Sequence, residues 1–104
     1  MWVSERIELR EGFIEFHQVS DFADVHDVYV AVEFRSQGYG SKLMKKFLAE
    51  MKGRGIIEVT LEVRVDNTCA IGLYEKFGFK YMSVRKGYYN GVDGMLMRLE
   101  LREC

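Results

Sequence analysis

The stretch from Val25 to Val65, "VHDVYVAVEFRSQGYGSKLMKKFLAEMKGRGIIEVTLEVRV", decides the fold because a strand, a helix and a second strand follow one another in it. Residues 25–32 and 56–65 predict strands, and in the second one apolar residues alternate with polar ones. Between them, about residues 38–52 place apolar side chains at helical spacing, namely Leu43, Met44, Phe47, Leu48 and Met51. A strand–helix–strand unit within one sheet predicts a parallel pair with a right-handed crossover.

The flanking segments add strands that are most simply arranged as antiparallel hairpins. Residues 2–9 and 13–19 predict two strands around the turn-forming "REG". After the parallel unit, "DN" predicts the cap of a second helix at about residues 68–77. Two closing strands, about 79–86 and 94–101, flank "GYYNGVDG". We therefore expect one α/β domain over residues 1–104, with a mixed sheet and the element order βββαβαββ.

Composition narrows the classes of function. The 104 residues include 48% hydrophobic side chains, and 15 basic and 16 acidic residues give a net charge of -1. This balance gives no electrostatic argument for nucleic acid or an acidic membrane surface as partner. No apolar run has the length of a membrane span, and no signal peptide is visible. Cys69 and Cys104 have neither metal-ligand spacing nor partners for a disulfide framework, so we expect a cytoplasmic protein without a metal.

Two glycines, Gly38 and Gly40, stand where the first predicted helix begins. A helix N-terminus presents unpaired amide groups and a partial positive charge, and anions bind there. Glycines would let a phosphate approach those amides. A tight turn that binds nothing explains the pair equally well from this stretch alone.

A resemblance to a known family favours the phosphate. "VYVAVEFRSQGYGSKL" resembles the acetyl-coenzyme A motif of the GNAT N-acetyltransferases, in which Arg/Gln-x-x-Gly-x-Gly/Ala follows a strand, with Arg35, Gly38 and Gly40 in the pattern. "LEVR", Asn67, "AIGLYEKFGF" and "RKGYYNGVDGMLMRLEL" are similar in particular to the RimI-type enzymes, which acetylate protein N-termini. The resemblance extends from about residue 24 to residue 101.

The resemblance implies acetyl-CoA as co-substrate and a set of residues that bind it. Its pyrophosphate would lie over the loop that contains Arg35, Ser36, Gln37, Gly38, Tyr39, Gly40 and Ser41. Its pantetheine arm would pair with the exposed edge of the strand Val28-Tyr29-Val30. Asn67 would contact the cofactor beyond the end of the fourth strand.

Acetylation of an amine requires the amine to be neutral. An α-amine has a pKa near 7.7–8.0 and a lysine near 10.4, a difference of about 2.5 units or about 3.5 kcal/mol. A carboxylate acting through water is therefore base enough for an α-amine. The resemblance points to Glu62 in "LEVR", whose pKa we expect partial desolvation to raise. The alternative for Glu62 is a solvent-facing side chain paired with Arg64 or Thr60.

Three tyrosines complete the expected site. The resemblance implies that Tyr74 points at the cofactor sulfur, where its phenol protonates the leaving thiolate or holds the sulfur in place. It also implies that Tyr88 and Tyr89 grip the backbone of an acceptor peptide. The alternatives are a core tyrosine and two half-buried strand residues. We assign no role to His17, Cys69 or Cys104, and leave out His26, which we expect on the same side of its strand as Val28 and Val30.

One departure from the family is large. Family members begin with a strand and two helices before the hairpin, and this chain starts at about their second strand. We therefore expect a free strand edge at residues 2–9 and an uncovered apolar face, which together predict a homodimer with Trp2 and Ile7 near the contact. The leading function is acetylation of a protein N-terminal amine. The alternatives are a small-molecule amine or a lysine as acceptor, or a module without catalysis that binds CoA or a partner chain.

Overall fold

The computed structural model describes residues 3–101, and Trp2 lies outside them. The elements are β1 (Ser4–Leu9), β2 (Gly12–Val19), β3 (Phe22–Val30), α1 (Tyr39–Gly53), β4 (Glu58–Arg64), α2 (Thr68–Lys76), β5 (Lys80–Tyr89) and β6 (Val92–Glu100), with a 3-10 turn at Val32–Phe34 between β3 and α1. The strands form one sheet in the order β1-β2-β3-β4-β6-β5, in which β3 and β4 are parallel and the other pairs antiparallel. The predicted fold class and element order are confirmed.

Helix α1 forms because its apolar residues share one side, and it covers β1 to β3 with that side. The predicted stripe of five residues is buried. Phe47 packs edge-on against Phe16 of β2, with ring centroids 5.1 Å apart. Just after the helix, Gly55 has a left-handed backbone (φ +76°), and the amide of Ile56 donates to the carbonyl of Met51. Such a turn satisfies carbonyls that the helix itself leaves open.

Both helices lie on the same face of the sheet. Tyr74 of α2 joins the core that α1 forms with Val59, Leu61 and Val63 of β4. The residues that alternate with these on β4 face away from the helices, and the ion pair between Arg98 and Glu58 lies there. Exposed apolar side chains share this opposite face with the charged ones, namely Val19, Phe22 and Tyr29. The expectation of an uncovered apolar face stays a prediction.

The two parallel strands separate toward their carboxyl ends. Strands β3 and β4 pair only over Phe22–Val25 and Glu58–Leu61. Beyond Val25, β3 stays paired with β2, while β4 beyond Leu61 stays paired with β6. A V-shaped opening results at the end of the sheet from which both crossover helices start, where α/β proteins commonly bind ligands.

Two connections are shorter than the sequence pattern predicts. "GYYNGVDG" was expected to link two strands, but β5 continues to Tyr89, β6 begins at Val92, and only Asn90 and Gly91 lie in the turn. Both have positive φ, 48° and 91°, as the tightest hairpin turns require. Strand β3 likewise begins at Phe22, three residues before the predicted start, because the turn after β2 is equally short.

A β-bulge changes the side of the sheet on which His26 lies. Phe16 pairs with Val25 and Glu15 pairs with Asp27, so His26 is the extra residue between two register positions. Val28 and Val30 pack against the helical core, while His26 contacts His17 on the opposite face. The expectation that His26 shares a side with the two valines is wrong, because a bulge reverses the alternation of a strand.

Candidate active site

The two glycines at the start of α1 do different things. Gly38 is the N-cap residue with φ +85°, and a Cβ built on it would meet nothing within 4 Å. Gly40 is instead close to α2, because a Cβ there would lie 3.2 Å from Cδ2 of Leu73. Gly38 thus provides an unusual backbone conformation with open space before it, and Gly40 lets the two helices approach. The amides of the first turn carry no helical partner, so this end of α1 suits an anion.

The loop before α1 is held by its own side chains. Nε of Arg35 donates to the carbonyl of Val30 (2.9 Å), and Nε2 of Gln37 donates to the carbonyl of Glu33 (3.0 Å). These side chains fix the backbone path that leads to Gly38. The resemblance implies that this loop contacts phosphate. Because these side chains are already hydrogen-bonded within the loop, that contact would be made mainly by its backbone amides.

Lys76, at the end of α2, adds a cation that the sequence analysis missed. Its Nζ donates to Oγ of Ser41 in the first turn of α1 (3.0 Å). The two residues are 35 positions apart, and only the packing of the helices brings them together. A lysine here favours an anion in front of the same helix N-terminus.

The V-shaped opening contains a cavity of about 260 Å³. Five residues singled out from the sequence line it: Val28, Glu62, Asn67, Tyr74 and Tyr89. The other predicted site residues do not line the cavity, namely Tyr29, Val30, Tyr88 and the loop from Arg35 to Ser41. Asn67 also caps α2, since its Oδ1 accepts a hydrogen bond from the amide of Ala70 (3.2 Å). A contact of the Asn67 side chain with the cofactor would therefore use its Nδ2.

Glu62 projects from β4 into the cavity and is largely enclosed, with its side chain 17% exposed. Its Oε2 lies 3.2 Å from Nε of Arg85 on β5. That oxygen has no oriented hydrogen bond from any described residue. Neither alternative partner is used, because Arg64 pairs with Asp66 (3.0 Å) and Thr60 donates to Asp24 (2.7 Å).

Burial raises the pKa of both tyrosines that line the cavity. Desolvation, with the charge of Asp27 and then Tyr89 as smaller causes, raises the pKa of Tyr74 to about 12. Desolvation also raises the pKa of Tyr89, and the nearby charge of Glu62 acts in the same direction. Both phenols therefore keep their protons at neutral pH and can donate hydrogen bonds. The ring of Tyr89 meets that of Tyr88 edge-on, with centroids 4.9 Å apart.

Gly94 on β6 makes this arrangement possible. A Cβ at Gly94 would lie 3.1 Å from Cε2 of Tyr89, 3.2 Å from Oε2 of Glu62 and 3.4 Å from Cδ2 of Tyr88. From the sequence, Gly94 was expected at the point where the connecting stretch meets the last strand, without a role in the site. A glycine within a strand that leaves room for three polar side chains indicates a close approach that serves the site.

The fold and site together define a mixed α/β domain with a cleft between two parallel strands and a helix N-terminus beside it. The profile of the Acetyltransferase (GNAT) family matches residues 11–79, and the chain belongs to that family. It is 37% identical over 76 residues to the [ribosomal protein bS18]-alanine N-acetyltransferase of Escherichia coli strain K12, covering 73% of this chain and 51% of that protein. The chain thus spans about half the length of that curated relative.

Solved structures agree with this assignment. The crystal structure of the ribosomal-protein-S18-alanine N-acetyltransferase from Escherichia coli superposes with a TM-score of 0.88 at 28% identity, over 99% of this chain and 71% of that one. A chain of the NatC complex bound to Gag peptide and CoA superposes with a TM-score of 0.81 at 26% identity, over 88% and 62%. Within residues 3–101, no helix is long and apolar enough to cross a membrane.

Proposed function

We propose that this chain transfers the acetyl group of acetyl-CoA to the α-amine of a protein N-terminus. One observation carries the proposal: Glu62, Tyr74 and Tyr89 line one cavity between the diverging strands. The similarity to protein N-terminal acetyltransferases supports the choice of acceptor.

The residues that would hold acetyl-CoA fit its chemistry. A pyrophosphate needs donors and open space, and the start of α1 offers both beside Gly38, with Lys76 close to Ser41. A pantetheine arm carries amides, and the edge of β3 beyond Val25 carries backbone groups without a strand partner on the β4 side. When bound, the molecule supplies the activated acetyl thioester.

Glu62 is the proposed base that takes a proton from the acceptor amine. It lies inside the cavity, and no described hydrogen bond occupies its Oε2. The contact with Arg85 has a competing explanation, in which Glu62 serves only to anchor that arginine. Removing each partner separately distinguishes the two roles.

Tyr74 is the proposed hydrogen-bond donor to the cofactor sulfur. A thiol has a pKa near 8.5, whereas the Tyr74 pKa is raised to about 12. Complete proton transfer from this phenol to a thiolate is thus uphill by about 5 kcal/mol. Of the two roles open to Tyr74, the raised pKa favours holding the sulfur over protonating it.

The acceptor is proposed to reach Glu62 past Tyr88 and Tyr89. The guanidinium of Arg85 lies over the ring of Tyr88, the outer tyrosine, 4.6 Å from its centroid. An α-amine suits the site because Glu62 is a carboxylate, and at neutral pH a lysine would require about 3.5 kcal/mol more to lose its proton.

A peptide panel tests the proposal. Short peptides with free N-termini are compared with the same sequences blocked at the N-terminus and carrying one lysine, each with acetyl-CoA, and mass spectrometry identifies the acetylated position. We expect acetylation at the α-amine only. Acetylation confined to lysine, or to a small amine added in a parallel reaction, would support the alternative acceptors, and CoA binding without any transfer would support the module without catalysis.

Three further features of the chain are part of the proposal. Residues 1–104 are proposed to form one domain that acts in the cytoplasm. The chain is proposed to dimerise through the outer edge of β1, which has no strand partner among the described residues. Ile7 lies on that strand and remains near the proposed contact.

A further inference from the structure

Two histidines and an aspartate meet on the sheet face opposite the helices. His17 of β2 and Asp24 of β3 are register partners, and the bulge places His26 beside them. The ring nitrogens and the carboxylate oxygen that could act as ligands all lie within 4.8 Å of one another. The cluster could not be predicted from the sequence, because the bulge that assembles it has no signature there.

The two imidazoles are already turned toward each other. Nδ1 of His17 and Nε2 of His26 lie within hydrogen-bonding distance, whereas the ring centroids are 4.6 Å apart. The nitrogens are thus the closest parts of the two rings. Asp24 is oriented separately, because the hydroxyl of Thr60 donates to its Oδ1 (2.7 Å). Hydrogen bonds of this kind hold carboxylate ligands in place around metals.

We propose that His17, Asp24 and His26 bind a divalent transition-metal cation of the zinc and nickel class. Imidazole nitrogen and carboxylate oxygen are ligands for these cations, whereas Mg²⁺ and Ca²⁺ prefer oxygen alone. Tetrahedral zinc with ligands at about 2.0–2.1 Å separates neighbouring ligand atoms by about 3.3 Å. Small side-chain rotations reach this spacing from the observed one, and the fourth position is left for water.

The site is exposed to cations from solution and borders the candidate active site. His26 is an exposed residue, and it also lines the cavity that contains Glu62. A bound cation would therefore add positive charge at the wall of that cavity. The proposal goes beyond acetyl transfer, and metal binding can be measured without any acetyl-transfer assay.

Calorimetric titration of the chain, purified without a histidine tag, tests the proposal. We expect one equivalent of ZnCl₂ or NiCl₂ to bind and MgCl₂ not to bind. Thr60→Val, which removes only the support of Asp24, should weaken binding about tenfold to a hundredfold. His17→Gln and His26→Gln each remove a ligand and should weaken it by more than that. The matched control is Cys69→Ser with Cys104→Ser, which removes the other zinc-binding side chains and should leave binding unchanged.

A second measurement keeps the test valid if a histidine variant does not fold. The sequence contains only two histidines, so every imidazole signal in the NMR spectrum of the unmodified chain belongs to this cluster. Zinc should shift both sets of ring signals at one equivalent. The proposal is overturned if the unmodified chain binds no zinc, if both ring signals stay in place, or if binding disappears in the cysteine variant.

Discussion

Replacement of Gly38 by valine separates backbone strain from loss of a binding site, because α1 offers a matched control at its other end. Gly38 before the helix has φ +85° and Gly55 after it has φ +76°, and a Cβ at either position meets nothing within 4 Å. A branched residue in this conformation costs about 1–3 kcal/mol. Gly38→Val and Gly55→Val should therefore lower the free energy of unfolding by similar amounts. Each kcal/mol lost should lower Tm by roughly 4–8 °C.

Only Gly38→Val should lose affinity for CoA. The added side chain would occupy the open space in front of the first amides of α1. A hydrogen bond to a charged group contributes about 1.5–3 kcal/mol, so loss of one such bond weakens binding roughly ten- to a hundredfold. Calorimetric titration with CoA, at a temperature where both variants are folded, measures the difference. Equal affinities in Gly38→Val and Gly55→Val would refute the assignment of this helix end as the phosphate site.

Four further predictions concern the cavity and the sheet edge. Glu62→Gln should lower turnover at pH 7 by about a hundred- to ten-thousandfold, and part of the rate should return at higher pH. Arg85→Met should keep kcat. An equal loss of kcat in both variants would mean that Glu62 serves only to anchor Arg85. The free energy of unfolding should fall by up to about 3 kcal/mol between pH 10 and 12, because the pKa of Tyr74 is raised to about 12 in the folded chain, which keeps this proton after the unfolded chain has lost it. Urea unfolding of Tyr74→Phe should lack this decline. Gly94→Ala should push Glu62 aside and lower kcat about tenfold with CoA affinity unchanged, and an unaltered kcat would show that the close contact does not matter. Light scattering should give about twice 12.2 kDa for the chain, and the monomer mass would reject the dimer.

Local patterns in the sequence predicted the helices and the order of the elements along the chain well. Helix α1 was expected at about residues 38–52 and is found at Tyr39–Gly53, because its apolar stripe and flanking glycines are local signals. The hairpin turn at Asn90–Gly91 also had a local signal, since an Asn-Gly pair between strands favours a two-residue turn. The expected connection of eight residues overlooked it.

Contacts between residues that are distant in the sequence could not be predicted from local patterns. The pairing of Glu62 with Arg85 depends on the register between β4, β6 and β5, and the approach of Lys76 to Ser41 depends on how two helices pack. The cluster around His17 depends on a bulge. The family resemblance nevertheless identified Glu62, Asn67, Tyr74 and Tyr89, which the structure brings to one cavity.

The short pairing of β3 with β4 also has a mechanical consequence. The first half of the sheet with α1 and the second half with α2 share strand hydrogen bonds only over Phe22–Val25 and Glu58–Leu61. A cofactor lying in the opening would bridge the halves as an additional strand. Its binding would then stabilise the fold by mass action, about 2.7 kcal/mol at a hundred times the dissociation constant. Exchange of the β3 amides beyond Val25, which have no partner on the β4 side, should slow the most when CoA is added.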